Sequence, residues 1–338
     1  MPQAPKPHPE IVLGTANFGS PSDPLCKTTT PEAAAELLRT LHSYGYDTVD
    51  TARRYPSFAQ GTSEELLGSA LAVLEQQNTA TPSSPSSPVT IKVDTKVLSN
   101  PGDHAIPRIE SSIAASLSAL RLPKVHTLYA HAPDRSTPLS SPASAFHAAV
   151  TSNGQAIQWG ISNYTLSEVQ TLLQICDANN WVRPAVYQGQ YSAVARQSET
   201  DLIPYLHSQN IAFYAFSPGA AGLFGSASRL QLQNVAGDAM RAAYGAEAVQ
   251  RAAERVKDAA RENGIGSGHE VAVRWIVWHS MLDARFGDKV IIGAGSKEQL
   301  RETLGSVHRG PLEAVVVDVV ERVWDEIQGE REGQIVNK

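Results

Sequence analysis

Short apolar runs alternate with amphipathic segments along almost the whole chain, and this alternation constrains the fold more than any other feature. The segment that begins at Thr30 reads Thr-Pro-Glu, which is typical of a helix start. Later segments carry apolar residues three and four positions apart, which is helical spacing. The apolar runs, which we interpret as strands, lie at 11–14, 46–50, 89–97, 125–130, 157–162, 184–189, 211–217 and 289–295.

Eight strand–helix units in succession predict an α/β fold in which a parallel sheet closes into a barrel, the (β/α)8 or TIM barrel. The length of 338 residues suits one such barrel or two ordinary domains. An open doubly wound sheet is the alternative, but the chain has no Gly-x-Gly-x-x-Gly motif between the first run and the first helix. We therefore expect one domain over 1–338, with the barrel core at about 11–305.

Three segments depart from the alternation. The Ser/Pro/Thr-rich stretch 76–88 is expected to be a flexible surface loop. The stretch 218–268 follows the seventh run and is longer than an ordinary connection, so we interpret it as a lid or binding excursion. The stretch 306–338 is expected to hold an extra C-terminal helix, at 311–328, and a tail.

Composition narrows the class of protein. A formal net charge of −6, with no run of basic residues, argues against a nucleic-acid or anionic-membrane surface. Cys26 and Cys176 stand far apart, so neither a disulfide framework nor a thiolate metal cluster is expected. The chain shows no signal-peptide pattern and no apolar run of about 18 residues, which favours a cytoplasmic protein without a membrane partner.

The ends of the predicted strands carry unusual polar side chains. Asp50 ends the second strand and Tyr55 follows it, while Lys96 and His131 end the third and fourth strands. Active sites of such barrels lie where strands end and the following loops begin. An acid, a phenol, an amine and an imidazole are therefore expected to converge there.

Six motifs in order then resemble one family: "VDTARRY" with "GTSEELLG", "DTKV", "LYAHAPD", "WGISNY", "VYQGQYSAVARQSE" and "FYAFSPGAAGLF". They look like the signatures of the aldo-keto reductases, and most resemble the aflatoxin-aldehyde-reductase-like branch, over about 11–304. The resemblance implies hydride transfer between NADP(H) and an aldehyde or ketone of a small molecule. It also implies that Asp50, Tyr55, Lys96 and His131 are the catalytic residues.

The implied roles agree with elementary chemistry. A carbonyl that receives hydride at carbon develops charge on its oxygen, which a proton donor such as Tyr55 offsets. A buried Lys96 ammonium is expected to lower the pKa of that phenol, and Asp50 to hold the ammonium charged. His131 is expected to orient the carbonyl.

Several neighbours of these residues compete for the same roles. Lys92 shares the strand face of Lys96 but lies nearer the strand start, and His126 is interpreted as structural for the same reason. Arg53 and Arg54 either pair with acids at the rim, touch substrate or form a solvated face, with the solvated face slightly favoured. Phe18, 56–60 and Tyr164 are expected to shape the substrate pocket together with the stretch after Pro218.

The resemblance also implies a cofactor site. Ser162, Asn163 and Gln188 match the positions that bind the nicotinamide carboxamide, and Phe216 the position that stacks on the ring. Ser217, Pro218, Gly219 and Gly222 suit the pyrophosphate. The resemblance places the adenosine 2′-phosphate at a last group of residues, which are Gly295, Ser296, Lys297, Gln299, Arg301 and Thr303. Gly295 and Thr303 depart from the family pattern. The segment as a whole favours NADP(H), and the two departures leave NAD(H) open.

Other functions stay open at this point. A metal-dependent hydrolase is disfavoured because the first strand lacks a His-x-His pair, so no metal is expected. An NAD-linked sugar dehydrogenase and a cofactor-sensing binding subunit with weak reductase activity are the remaining alternatives. The sequence does not choose between a monomer and a homo-oligomer.

Overall fold

Parallel strands follow one another around a closed barrel in chain order, in the computed structural model that describes residues 7–80, 88–225, 231, 233 and 235–331. The predicted (β/α)8 fold is thus confirmed, each strand lying within two or three residues of its predicted bounds. In the described residues the strands are β1 Glu10–Gly14, β2 Thr48–Asp50, β3 Lys92–Val97, β4 Val125–Ala130, β5 Ala156–Ser162, β6 Val186–Gln190, β7 Ala212–Phe216 and β8 Lys289–Gly293.

Helices fill the intervals between the strands. The Thr30 side chain caps the first helix by accepting from the Ala33 amide, as the Thr-Pro-Glu start predicts. A reciprocal capping box between Thr165 and Glu168 starts the fifth helix. The described helices are α1 Pro31–Ser43, α2 Thr62–Ala80, α3 Ile106–Leu120, α4 Ser140–Val150, α5 Leu166–Ala178, α6 Leu202–Ser208, α7 Val235–Tyr244, α8 Glu247–Glu262, α9 Gly268–Trp278, α10 Lys297–His308 and α11 Ala314–Arg331.

The described chain divides into two compact sets of residues. One set comprises Ile11–Gln188 and Gly293–Arg301, and its core includes the stacked rings of Phe146 and Trp159, 5.2 Å apart. Within the described residues, the other comprises positions 7–10, 189–292 and 302–331, and it buries Tyr191 against Phe213 and Trp275. The expectation of one domain over 1–338 stays a prediction.

One segment prediction is wrong in part, and a second stays a prediction. Gln76–Ala80, assigned to a flexible loop, continue helix α2, and the rest of that stretch through 87 lies outside the described residues. The stretch 218–268, interpreted as a lid, includes α8, which packs against α9 and α11 and buries Val249, Ala253 and Val256. Its positions 226–230, 232 and 234 lie outside the described residues. Burial of this apolar stripe places α8 within the packed structure.

The extra C-terminal helix is confirmed as α11. It begins at Ala314, three residues after the predicted start, and contacts α8 and α9. Positions 332–338 of the predicted tail lie outside the described residues. None of the helices in the described part of the chain has the length and apolar character needed to cross a membrane.

Candidate active site

Asp50 and Lys96 form an ion pair buried inside the barrel. The Lys96 ammonium donates to Asp50 Oδ2 at 2.6 Å and to the Thr51 carbonyl oxygen at 2.8 Å. Neither side chain is more than 5% exposed. Lys92, the competing lysine, is 46% exposed and pairs with Asp47 at 3.1 Å. Of the two lysines, Lys96 is therefore the one that the structure brings to Asp50.

The ring of Tyr55 lies against both Lys96 and His131. Lys96 Nζ is 5.1 Å from the centre of the Tyr55 ring, and the rings of Tyr55 and His131 meet edge to face with centroids 5.5 Å apart. On another side, the Tyr129 ring lies 5.8 Å from the same ammonium. The four side chains predicted to converge do so, and the ammonium lies near two aromatic rings.

Burial and the neighbouring charges together set the protonation states of these groups. Burial raises the pKa of Tyr55 above its ordinary value, because the opposing pull of Lys96 is smaller. The predicted lowering of this pKa is therefore wrong in net direction, although Lys96 acts with the expected sign. Burial lowers the pKa of Lys96, but Asp50 and Tyr55 outweigh that effect and hold it above its ordinary value. Burial, Lys96 and Arg54 hold the pKa of His131 well below its usual range. At neutral pH the site thus presents an ammonium, a phenol and a neutral imidazole.

A buried acid fixes the loop that carries Tyr55. Glu64, fully buried at the start of α2, accepts from Arg53 Nη1 at 3.1 Å and from Thr95 Oγ1 at 2.6 Å. Gly61 has φ +87°, and a Cβ there would lie 2.6 Å from Arg53 Nη1. The Gly61 amide in turn donates to the Tyr55 carbonyl oxygen at 2.9 Å. The solvated-face interpretation is therefore wrong for Arg53, whereas Arg54 is exposed.

A second buried carboxylate, which the sequence reasoning missed, lies below Lys96. Asp94 pairs in strand register with Asp50 and is fully buried. Its Oδ1 is 3.2 Å from Nδ1 of His126, the histidine interpreted as structural. The strand parity that Asp94 shares with Lys96 was the available signal, because residues two apart on a strand face the same side.

The residues predicted to hold the carboxamide lie beside the residues predicted to be catalytic. Gln188 Nε2 donates to Asp50 Oδ1 at 2.8 Å. Asn163 adopts φ 65° just after β5, and its Nδ2 donates to Ser162 Oγ at 2.9 Å and to the His131 carbonyl oxygen at 3.1 Å. The Asn163 amide also donates to the Gln188 carbonyl oxygen at 3.3 Å, which ties the two strand ends together. Hydroxyl and amide groups of this kind suit a planar amide ligand.

In the other compact set, Phe216 ends β7 and is half-buried. Ser217, Ala220 and Ala221 all adopt positive φ, which is unusual for residues other than glycine and typical of functional turns. Pro218 is buried. Two further predicted positions, Gly219 and Thr303, both lie near His269. A Cβ on Gly219 would lie 3.0 Å from His269 Nδ1. On the other side of the ring, His269 Nε2 is 3.4 Å from Thr303 Oγ1. His269 had no signal in the sequence.

The start of α10 holds most of the residues predicted to meet the 2′-phosphate. Ser296 Oγ accepts from the Gln299 amide at 3.2 Å, and Gln299 Oε1 accepts from the Gly295 amide at 2.7 Å. Lys297 is paired with Glu36 of α1, and Arg301 is exposed. Two backbone N–H groups of the predicted anion site thus already donate to the side chains of Ser296 and Gln299. Lys297 already has a carboxylate partner.

The residues expected to shape the substrate pocket differ in exposure, and their role stays a prediction. Phe18 is fully buried, and Tyr164 is 2% exposed. Phe58, within the predicted rim, is 53% exposed, and its amide donates to the buried Asp23 at 2.8 Å. Of these three aromatic side chains, Phe58 is the exposed one.

The fold and the site together define a closed barrel in which a carboxylate, an ammonium, a phenol and an imidazole meet. Within the described residues, the structure contains no group of three or more His, Cys, Asp or Glu side chains arranged to hold a metal ion.

The chain belongs to the aldo/keto reductase family, whose family model matches residues 10–325. It is therefore an NAD(P)H-dependent oxidoreductase. Oxidoreductase sirO of Leptosphaeria maculans is 34% identical, over 95% of this chain and 96% of that protein. Aldo-keto reductase family 7 member A3 of Homo sapiens is 32% identical, with the same two coverages. Aflatoxin B1 aldehyde reductase member 2 of Mus musculus is also 32% identical, over 95% of this chain and 86% of that protein. The predicted resemblance to the aflatoxin-aldehyde-reductase-like branch is confirmed.

Solved structures share the fold. The aldo/keto reductase from Klebsiella pneumoniae, in complex with NADP and acetate, has a TM-score of 0.67 at 20% identity and covers 94% of this chain and 91% of that one. The glycerol dehydrogenase from Gluconobacter oxydans has a TM-score of 0.69 at 20% identity, over 96% of this chain and 94% of that one.

Proposed function

We propose that the protein reduces aldehyde or ketone groups of small molecules to alcohols with NADPH, and that Tyr55 donates the proton. The observation that carries the proposal is the buried Lys96–Asp50 pair at 2.6 Å, with the Tyr55 ring 5.1 Å from the ammonium and the His131 ring against it. Burial of charged groups costs free energy even when they are paired, and buried groups of this kind cluster at functional sites.

Each group has a distinct part in the reaction. Tyr55 gives its phenolic proton to the carbonyl oxygen, and the phenolate that remains recovers a proton from water after the alcohol leaves. Lys96 stabilises the phenolate, since its ammonium is held charged by Asp50. His131 is neutral and donates one ring N–H to the same carbonyl oxygen, which orients the substrate.

The donor set fits a nicotinamide cofactor. Ser162, Asn163 and Gln188 would hold the carboxamide, and Phe216 offers an aromatic face for the ring. The backbone of 217–222, with its positive φ values, would hold the pyrophosphate through its N–H groups. When bound, the cofactor supplies the hydride, and the residues of this chain supply the proton and the geometry.

We assign NADP(H) rather than NAD(H) because Lys297 and Arg301 offer positive charge at the start of α10. A solved relative of the same fold is described with NADP, and relatives about a third identical are named aflatoxin B1 aldehyde reductases. Both support a reductase of aldehydes that uses NADPH.

The test is an assay of the purified protein with NADPH and para-nitrobenzaldehyde. Loss of the NADPH absorbance with formation of the alcohol is expected. Turnover seen only with NAD+ and a sugar would replace the proposal with the dehydrogenase. Cofactor binding without turnover on any carbonyl substrate would replace it with the sensing subunit.

A further inference from the structure

Asp94 is a buried carboxylate for which the proposed mechanism has no use. It lies on β3 two residues before Lys96, so the two side chains face the same side of the strand about 7 Å apart along it. Its register partners are Asp50 on β2 and Thr127 on β4. The carboxylate is therefore adjacent to the catalytic ion pair, on the side away from the strand ends.

The surroundings of Asp94 do not explain its presence by stability alone. His126 Nδ1 is the donor that reaches Oδ1, at 3.2 Å. Oδ2 is buried and has no hydrogen-bond partner within the described residues. A buried carboxylate with half of its acceptors unused destabilises a fold, since the lost hydration is not replaced. Residues that break packing rules in this way concentrate at functional sites.

The charged and titratable groups that face Asp94 come from three strands and one loop. They are Asp50 on β2, Lys96 on β3 itself, His126 on β4 and, above Lys96, Tyr55. Among these, Lys96 is the cation buried with the acids. The ammonium therefore lies in the field of two carboxylates, one of which it contacts.

We propose that Asp94 is a positioning residue that acts through Lys96: its negative charge, held in place by His126, keeps the Lys96–Tyr55 pair fully protonated in the pH range where the enzyme reduces its substrate. Consistent with this role, Asp94 contributes to the raised pKa of Lys96, after the larger effects of burial, Asp50 and Tyr55. The proposal rests on the proposed reductase function for its kinetic readout alone.

The sign follows from charge. Removal of a buried negative charge makes loss of a proton easier for both members of a neighbouring pair, whichever member releases it first. The alkaline limb of the reduction profile should therefore move to lower pH when Asp94 is neutral. A change in packing alone lowers activity at every pH and leaves that midpoint in place.

The experiment compares Asp94→Asn and Asp94→Ser, two neutral replacements, with Asp94→Glu, which keeps the charge. Thr127→Val is the matched control, since Thr127 is the fully buried register neighbour of Asp94 and carries no charge. Two readouts are taken: the pH dependence of kcat for reduction, and the titration of Tyr55 from its phenolate absorbance. The Tyr55 titration is obtained as a difference: the phenolate absorbance of each variant minus that of the same variant carrying Tyr55→Phe as well. This readout needs no turnover.

We expect both neutral variants to lower the alkaline midpoint and the Tyr55 titration by about one pH unit, which is typical of a nearby buried charge. Asp94→Glu should keep both midpoints close to their wild-type values, because it keeps the charge. Thr127→Val should also leave both midpoints in place. If either folded neutral variant titrates like the wild type, or if Thr127→Val shifts as far as Asp94→Asn, the proposal is overturned. Absence of turnover in the wild type as well as in every variant, together with a shifted titration, supports the role of Asp94 and instead contradicts the reductase function.

Discussion

At the scale of single residues, the phenol of Tyr55 is the group on which reduction depends. Tyr55→Phe keeps the ring that packs against Lys96 and His131 and removes the proton donor alone. We expect kcat for reduction to fall by at least about 100-fold, which is typical for loss of a general acid. Binding of NADPH, measured by quenching of protein fluorescence, should change less than about twofold. Unchanged turnover would remove Tyr55 from the mechanism.

Arg53 and Arg54 are adjacent in sequence but differ in what they touch. Arg53→Ala leaves the buried Glu64 carboxylate without its cation, so the free energy of unfolding should fall by about 3 kcal/mol. Turnover should fall with it, because the same contacts hold the loop that carries Tyr55. Arg54→Ala is the matched control, and as an exposed residue it should cost less than about 0.5 kcal/mol. Equal losses in urea unfolding would contradict the assignment.

Residue-scale prediction from sequence succeeded where a motif and a strand end coincided. Asp50, Tyr55, Lys96 and His131 were predicted on both grounds and do converge. Asp94 and Glu64 were missed because their significance lies in partners that come from other elements. Alternation along a strand predicts that a residue is buried, but it does not reveal whether a histidine or an arginine lies opposite.

At the scale of elements, Asp134 joins the loops that follow β3 and β4. It is 4% exposed and accepts from the Gly102 and His104 amides, and from Ser136 and Thr137 within its own loop. Burial opposes ionisation, but these hydrogen bonds prevail and hold the pKa of Asp134 below its usual range. The carboxylate thereby fixes two loops beside the site that contains His131.

The stability that Asp134 contributes depends on pH. Because its pKa is depressed in the folded state, the contribution is complete above the unfolded pKa near 4 and is lost as the pH falls towards the folded pKa. Asp134→Asn should lower the free energy of unfolding by about 3 kcal/mol at neutral pH, with a smaller gap at about pH 3. Urea unfolding at both pH values measures this. A gap that stays constant with pH would show that the charge is not what stabilises the loops.

The charged residues at the start of α10 should decide the preference for NADPH over NADH. Lys297→Ala should raise KM for NADPH by about tenfold and leave KM for NADH nearly unchanged, since of the two cofactors only NADPH carries the 2′-phosphate that Lys297 would meet. Glu36→Gln should lower KM for NADPH, because it frees Lys297 from its carboxylate partner. Steady-state kinetics with both cofactors measures these effects. Equal changes for NADH and NADPH would move the assignment to NAD(H).

Element-scale prediction was good for strands and weaker for long connections. Strand bounds follow apolar runs that end at polar residues, as at Asp50 and Ser162. Helix α8 lies in the stretch expected to be a lid or binding excursion, and that role stays a prediction. Its stripe of Val249, Ala252, Ala253, Val256 and Ala260 at helical spacing was visible in the sequence and indicates packing.

At the scale of the whole molecule, repetition made closure of the barrel predictable, because eight parallel units with short connections have few other arrangements. The contents of the barrel interior were not predictable in the same way. The meeting of Lys96 with Asp50, 46 residues apart, and of Gln188 with Asp50, 138 residues apart, depends on strand register. Register is set by packing over the entire sheet, and no short window of sequence contains it.

Cofactor binding should be visible in the stability of the complete protein. A ligand that binds the folded chain and not the unfolded chain stabilises it by RT ln(1 + [L]/Kd), which is about 2.7 kcal/mol at 100 times Kd. NADPH at that concentration should raise the urea midpoint accordingly. If the charges at Lys297 and Arg301 favour the 2′-phosphate about tenfold, NADH at the same concentration gives about 1.4 kcal/mol. Lys297→Ala should bring the two cofactors to similar stabilisation, and this comparison needs no substrate. Equal stabilisation of the wild type by NADH and NADPH would contradict the assignment of NADP(H) even if reduction is observed.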